Sequence, residues 1–180
     1  MSTALLIICG VALLGLGLAL RVWPKVKQTH IWRRRLARKV FKDMCNRPPA
    51  PAELFTRVRA MDPLAFEELV MEALERRGLK VRRSASYSGD GGKDGEVKLK
   101  GAWHLLQMKR YAGNINPKHV RDFISLCQKK KRTGVFIHTG KTTPASKDAL
   151  SGADEVAVVS GTELVALLTG EAFDFRHYGI

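Results

Sequence analysis

The sequence predicts an α/β domain, a mixed sheet with helices on both faces, preceded by a transmembrane helix. Three observations predict it. From residue 62 onward, amphipathic stretches and apolar runs follow one another in the order α-β-β-β-α-β-α-β-α. Two strand-like segments, Glu96–Lys100 and Trp103–Arg110, are joined by a short turn at Gly101, the pattern of a hairpin. Residues 1–20, MSTALLIICGVALLGLGLAL, carry no charged side chain.

At about 1.5 Å per residue that first stretch just spans a hydrocarbon core of about 30 Å. Between Arg21 and Arg47 stand ten basic residues and one acidic; the remainder of the chain has 21 and 16. The charge excess therefore sits directly after the apolar run, with Trp23 and Trp32 interleaved. By the positive-inside rule residues 1–23 form a single-pass anchor in the inner (cytoplasmic) membrane, N-terminus outside and the rest in the cytoplasm. A cleaved signal peptide would carry its positive charge on the other side of the apolar run.

Residues 24–51 read as a juxtamembrane segment. In Arg33–Met44, Leu36, Val40 and Met44 recur at i, i+4, i+8 with Ala37 and Phe41 beside them, an amphipathic basic helix suited to anionic headgroups. A DNA-binding arm is the alternative for the same residues. Asn46–Pro51 then reads as a stiff linker and a domain boundary, with the domain over 52–170 and a tail over 171–180.

Asp62-Pro63 is an N-cap followed by proline at the first helical position, and Gly78 ends that helix. Phe66, Leu69, Val70, Ala73 and Leu74 form its buried stripe. Glu68, Glu72 and Glu75 fall on the face predicted to meet solvent. Glu67 lies at the stripe's border; it can look toward a site at the sheet or remain a surface carboxylate near the helix N-terminus. Leu79–Arg83 is a first strand. Lys118–Arg132 is a helix, Val135–His138 and Glu155–Val159 are buried strands, and Thr143–Leu150 and Gly161–Leu168 are helices.

Ser88–Tyr111, SGDGGKDGEVKLKGAWHLLQMKRY, holds the chemistry. Folding the hairpin about Gly101 brings Asp94 level with Gln107 and Lys109 to within about one residue. Alternation points Gln107 and Lys109 to one face, and Leu106 and Met108 to the other. A carboxylate, an amide oxygen and an ammonium then meet beside a glycine loop that a phosphate backbone can approach, a place to hold a divalent metal and cut a phosphodiester. A turn aspartate before an ordinary amphipathic strand would give the same letters.

Other motifs fail. A calcium loop from Asp90 lacks its oxygen ligand at Gly92 and its glutamate at Gly101. The Gly140-Lys141-Thr142 end of a P-loop needs glycine where Val135 stands. Lys129–Arg132 reads as a solvated helix end favoured by the macrodipole. The five histidines are dispersed, and Cys9, Cys45 and Cys127 have neither zinc nor disulfide spacing.

Phe66-Glu67-Glu68-Leu69-Val70, Gly78, the run from Ser88 to Gly95 and Gln107-Met108-Lys109-Arg110-Tyr111 together resemble the Mrr-type catalytic domain of the PD-(D/E)xK nucleases. The resemblance covers roughly Asp62 to Leu168. It implies a restriction-endonuclease-like fold and a Mg²⁺-dependent (or Mn²⁺-dependent) deoxyribonuclease of the type IV restriction kind. It also implies Asp94, Gln107 and the Met108 backbone carbonyl as metal ligands, with Lys109 and Glu67 completing the catalytic set. DNA contacts are expected from the loop at Asp90, Gly91 and Gly92 and from Lys98, Lys100, Arg110, Lys118 and Arg121. The partners expected are DNA, the membrane and a second copy of the chain, since double-strand cleavage needs two active sites or two visits. The rival readings are a nuclease-like protein that tethers DNA at the membrane without cutting, and a membrane-surface interaction protein working through its basic helix.

Overall fold

The computed structural model describes residues 31–84 and 92–175. The predicted anchor over residues 1–23, and the flank up to residue 30, lie outside the described residues. Among the described residues no helix is long and apolar enough to cross a membrane.

Helix α1 occupies residues 31–46, followed by α2 (Pro51–Ala60), α3 (Pro63–Arg76), β1 (Lys80–Arg83), β2 (Gly95–Leu99) and β3 (Ala102–Lys109). Then come α4 (Pro117–Lys130), β4 (Gly134–His138), α5 (Pro144–Leu150), β5 (Val156–Val159) and α6 (Gly161–Thr169). The five strands lie side by side in chain order. β1 with β2 and β2 with β3 are antiparallel, while β3 with β4 and β4 with β5 are parallel. The mixed sheet and the predicted element order from α3 onward are therefore present.

The β2–β3 hairpin turns on Lys100 and Gly101, both at positive φ (46° and 87°). That is the type I′ turn whose twist matches the strands, and it sets the register Leu99↔Ala102 through Gly95↔Leu106. At the far end of the hairpin a Cβ on Gly95 would collide with the Met71 side chain and stand 2.7 Å from the Arg82 carbonyl oxygen. Helix α3 and strand β1 thus press directly on the residue next to Asp94.

Two cores sandwich the sheet. Phe66, Leu69, Val70 and Leu74 of α3 meet Leu106, Met108, Val135 and Ile137 on one face. Val120, Phe123 and Cys127 of α4 meet Leu105 and Phe136 on the other. β4 is buried at all five residues, as its unbroken apolar run predicts.

Helix α1 departs from expectation. Of the stripe Leu36, Val40 and Met44 assigned to headgroups, with Ala37 and Phe41 beside it, Met44, Ala37 and Phe41 are buried in the α3-side core, Val40 packs against them and Leu36 is half-buried. The linker after Asn46 does not separate α1 from the domain either. Pro51 opens α2, which has no counterpart in the predicted elements and adds Leu54 and Val58 to the same core. Covering α3 from outside also changes its charges. Glu68 and Glu72, expected in solvent, are 5% and 4% exposed. Glu68 takes a 2.7 Å bond from Arg83, and Glu72 is held by Arg38 of α1 and Arg76. Phe173 and Phe175, in a stretch without readable pattern, also pack on this core.

Candidate active site

The C-terminal edge of the parallel strands collects the chemistry. Asp62 caps α3 by accepting the Ala65 N–H at 3.1 Å, which starts the helix so that Glu67 lies in its opening turns at this edge. One residue beyond the β2–β3 ladder, the Asp94 N–H donates to the Leu106 carbonyl at 2.8 Å. The next alignment is therefore Asp94 opposite Gln107. The Asp94 carboxylate accepts the Met108 N–H at 2.6 Å, which aims it across the strand end. Lys109 follows on β3, opposite His138 of β4.

Asp94, Glu67 and Lys109 feel one another. Burial pushes the Asp94 carboxyl up, and the Lys109 ammonium and the Met108 N–H pull it back. Burial first, and then the Asp94 charge, raise Glu67 to about 8, against the opposing pull of Lys109. Both carboxyls are thus short of positive charge, the condition a divalent cation relieves.

Gln107 points the same way. Its amide nitrogen donates to the Gly92 carbonyl at 2.6 Å, while its Oε1 is buried with no hydrogen-bond partner among the described residues. An unmet buried acceptor costs about 1–3 kcal/mol, and a hard cation prefers such an oxygen. Two carboxylates and an orphaned amide oxygen therefore fit Mg²⁺ or Mn²⁺. Among the described residues no group of three or more His, Cys, Asp or Glu that could hold a metal ion is present, so the amide oxygen is needed beside the two carboxylates.

Of the predicted DNA contacts, Asp90 and Gly91 lie outside the described residues. Gly92 is exposed at φ 88° beside Gln107. Arg110 follows the site and bonds the Arg59 carbonyl. Lys118 and Arg121 are exposed at the N-terminal end of α4, which begins at this edge; Lys118 pairs with Asp122 at 2.7 Å. Lys98 and Lys100 are not brought here. They sit toward the hairpin turn, and four residues of strand put Lys98 about 13 Å from the level of Asp94. At the end of α4 Lys129, Lys130 and Lys131 are exposed as expected, but Arg132 turns in to the Trp103 carbonyl and Glu96.

Sequence reasoning missed two neighbours. Arg59, on the unforeseen α2, donates to the Thr139 carbonyl just past β4 and braces the edge. His138, assigned a default role, is fully buried beside Lys109, and burial drives its imidazole down to about 4, so it stays neutral. Neighbouring strand register was the signal available for it.

The restriction endonuclease family model Mrr_cat matches residues 58–168, more than half of the chain. The chain belongs to this Mrr family. A curated relative, the type IV methyl-directed restriction enzyme EcoKMrr of Escherichia coli (strain K12), is 28% identical over 124 residues. That alignment spans 64% of this chain and 41% of the relative, so the chain covers less than half of that enzyme's length. The solved structure of Pyrococcus furiosus SfsA in complex with Ca²⁺ aligns at 20% identity and a TM-score of 0.36, over 58% of this chain and 56% of that one. The Mrr match begins within α2 and so leaves α1 outside it, although α1 shares the core.

The two raised carboxyls also make stability depend on pH. Between about 4.5 and about 8 the folded chain keeps a proton on Glu67 that the unfolded chain has released. Stability therefore falls as pH rises through that window. Neutral His138 acts oppositely, but only between about 4 and 6.5. From about pH 6.5 to about pH 8 the melting temperature is expected to drop, and Glu67→Gln to flatten the slope. Mg²⁺ should restore more stability at the alkaline end. Parallel slopes for wild type and variant would contradict the assignment.

Proposed function

We propose that this chain is a membrane-tethered, divalent-metal-dependent endonuclease that hydrolyses phosphodiester bonds in DNA, and that it restricts foreign DNA at the cytoplasmic face of the inner membrane. The observation that carries the reading is the charge-deficient pair Asp94 and Glu67 beside Lys109, with the Gln107 Oε1 that has no partner among the described residues. Asp94, Gln107 Oε1 and the Met108 carbonyl would hold Mg²⁺ or Mn²⁺. When bound, the ion supplies polarisation of a phosphate oxygen and acidification of a water.

The remaining work falls to the chain itself. The Lys109 ammonium donates to the attacking water or to the phosphate oxygen on which charge develops. Glu67 orients Lys109. The Gln107–Gly92 hydrogen bond holds Gly92 against the site, where a sugar-phosphate backbone can come close. Arg110, Lys118 and Arg121 neutralise flanking phosphates and set the register of the duplex. Residues 1–23 supply the tether, and a second copy supplies the other cut of a double-strand break.

Supercoiled plasmid incubated with the full chain tests the activity. Nicked circles are expected with Mg²⁺ or Mn²⁺, and none with EDTA. Retardation of the plasmid without nicking in either metal would replace the enzyme by a DNA-tethering protein.

A further inference from the structure

With its apolar stripe used up by the core, α1 still presents a second face. At 100° per residue Trp32, Arg35, Lys39 and Lys42 fall within an arc of about 80°, on the side opposite Ala37, Phe41 and Met44. All four are exposed. Arg35, Lys39 and Lys42 make no ion pair among the described residues, whereas Arg33 and Arg38 are engaged by Asp62 and Glu72. Asp43, the one acid at the rim of this face, pairs with Arg57 at 2.7 Å and also feels the charge of Lys39 one turn away. Trp32 and Ile31, at the N-terminal end, are 57% and 43% exposed, the exposed large apolar side chains among the described residues.

The direction of α1 gives this face its meaning. Its N-terminal end is tied by the 3.0 Å Arg33–Asp62 pair to the cap of α3, the helix that carries Glu67. Its C-terminal end reaches Gly170 at the far end of α6, where Cys45 Sγ stands 3.0 Å from the position of a Cβ there. The end of α1 that continues toward the uncharged residues 1–20 thus lies at the edge of the sheet that carries the site.

We propose that the outward face of α1 rests on anionic phospholipid headgroups, with Trp32 and Ile31 at the interface, so that the α1–α3 layer faces the bilayer and the site edge lies alongside it. The inference rests on the tether in the reading above and adds to it a contact surface and an orientation. Three cations without an ion pair on a helix packed into the domain complement an anionic leaflet, and an exposed tryptophan suits the headgroup level. The attachment is electrostatic and shallow, because the apolar stripe that would have inserted is inside the protein.

Lysine acylation footprinting of the full chain, reconstituted in vesicles of phosphatidylcholine alone or with about a third phosphatidylglycerol, tests this. Lys39 and Lys42 are expected to be labelled at least about threefold less on the anionic vesicles, with salt near 0.5 M restoring labelling. Lys129 and Lys130, at the far end of α4, serve as an unchanged reference. Flotation with both vesicles and equal labelling of Lys39 and Lys42 would overturn the surface and leave the tether standing. Failure to float with either would overturn both. Protection by duplex DNA in detergent, with none from vesicles, would make α1 a phosphate-backbone surface instead.

Discussion

Lys109→Ala is expected to lower plasmid nicking by roughly 10²–10³-fold, the loss typical of one preorganised donor to developing charge. Lys109 is only half-buried at the end of β3, so melting of the variant should stay close to wild type. Lys109→Arg keeps the charge but spreads it over a planar fork that cannot reproduce a compact ammonium, and is expected to rescue little. Asp94→Asn should be as severe, since the site loses its one carboxylate aligned by a strand N–H. The two defects should differ in metal dependence. Raising Mn²⁺ should recover part of the activity of Asp94→Asn and none of that of Lys109→Ala. Nicking by Lys109→Ala at the wild-type rate would remove the catalytic reading, whatever the metal.

A chain begun at Pro51 is expected to lose most of its stability although it retains every candidate catalytic residue. Removing α1 strips Phe41 and Met44 from the core at about 1.5–3 kcal/mol each, with Ala37 and the cover over α3 in addition. Glu72 is left with Arg76 alone, and the Arg33–Asp62 tie at the cap of α3 disappears. The sum approaches the about 5–15 kcal/mol that holds a domain of this size folded. Urea melts of the full chain and of the shortened chain should therefore differ in midpoint, or the shortened chain should show no cooperative transition. Met44→Ala in the full chain gives a milder measure, expected to cost about 2–5 kcal/mol. Identical midpoints would mean that α1 is an appendage. The outcome governs any cleavage assay: a chain cut at the proline-rich linker tests a damaged domain.

Elements and site differ in how far the sequence carried them. The cap at Asp62 and the turn at Gly101 are contacts within a few residues, and each appears where the sequence places it, while the caps at Asn116 and Thr143 are equally local and went unread. The hairpin register follows from its turn, so the alignment of Asp94 with Gln107 and Lys109 was legible in the sequence to within about one residue. Glu67 was legible only as a border position, because its distance from Asp94 depends on how α3 lies on the sheet. Lys98 and Lys100 were assigned to DNA by their charge, although the same register carries them away from the site.

By itself the sequence determined the strands, the turn and the three-residue constellation on one hairpin, because hydrogen-bond alternation and turn geometry act over short stretches of chain. Tertiary structure alone decided what covers α3. Phe41 and Met44 find their partners beyond a proline-rich break, and Glu72 meets Arg38 34 residues away. An amphipathic stripe specifies that something apolar must cover it and not which surface does; packing chose the protein interior for α1 and left its charged face outward.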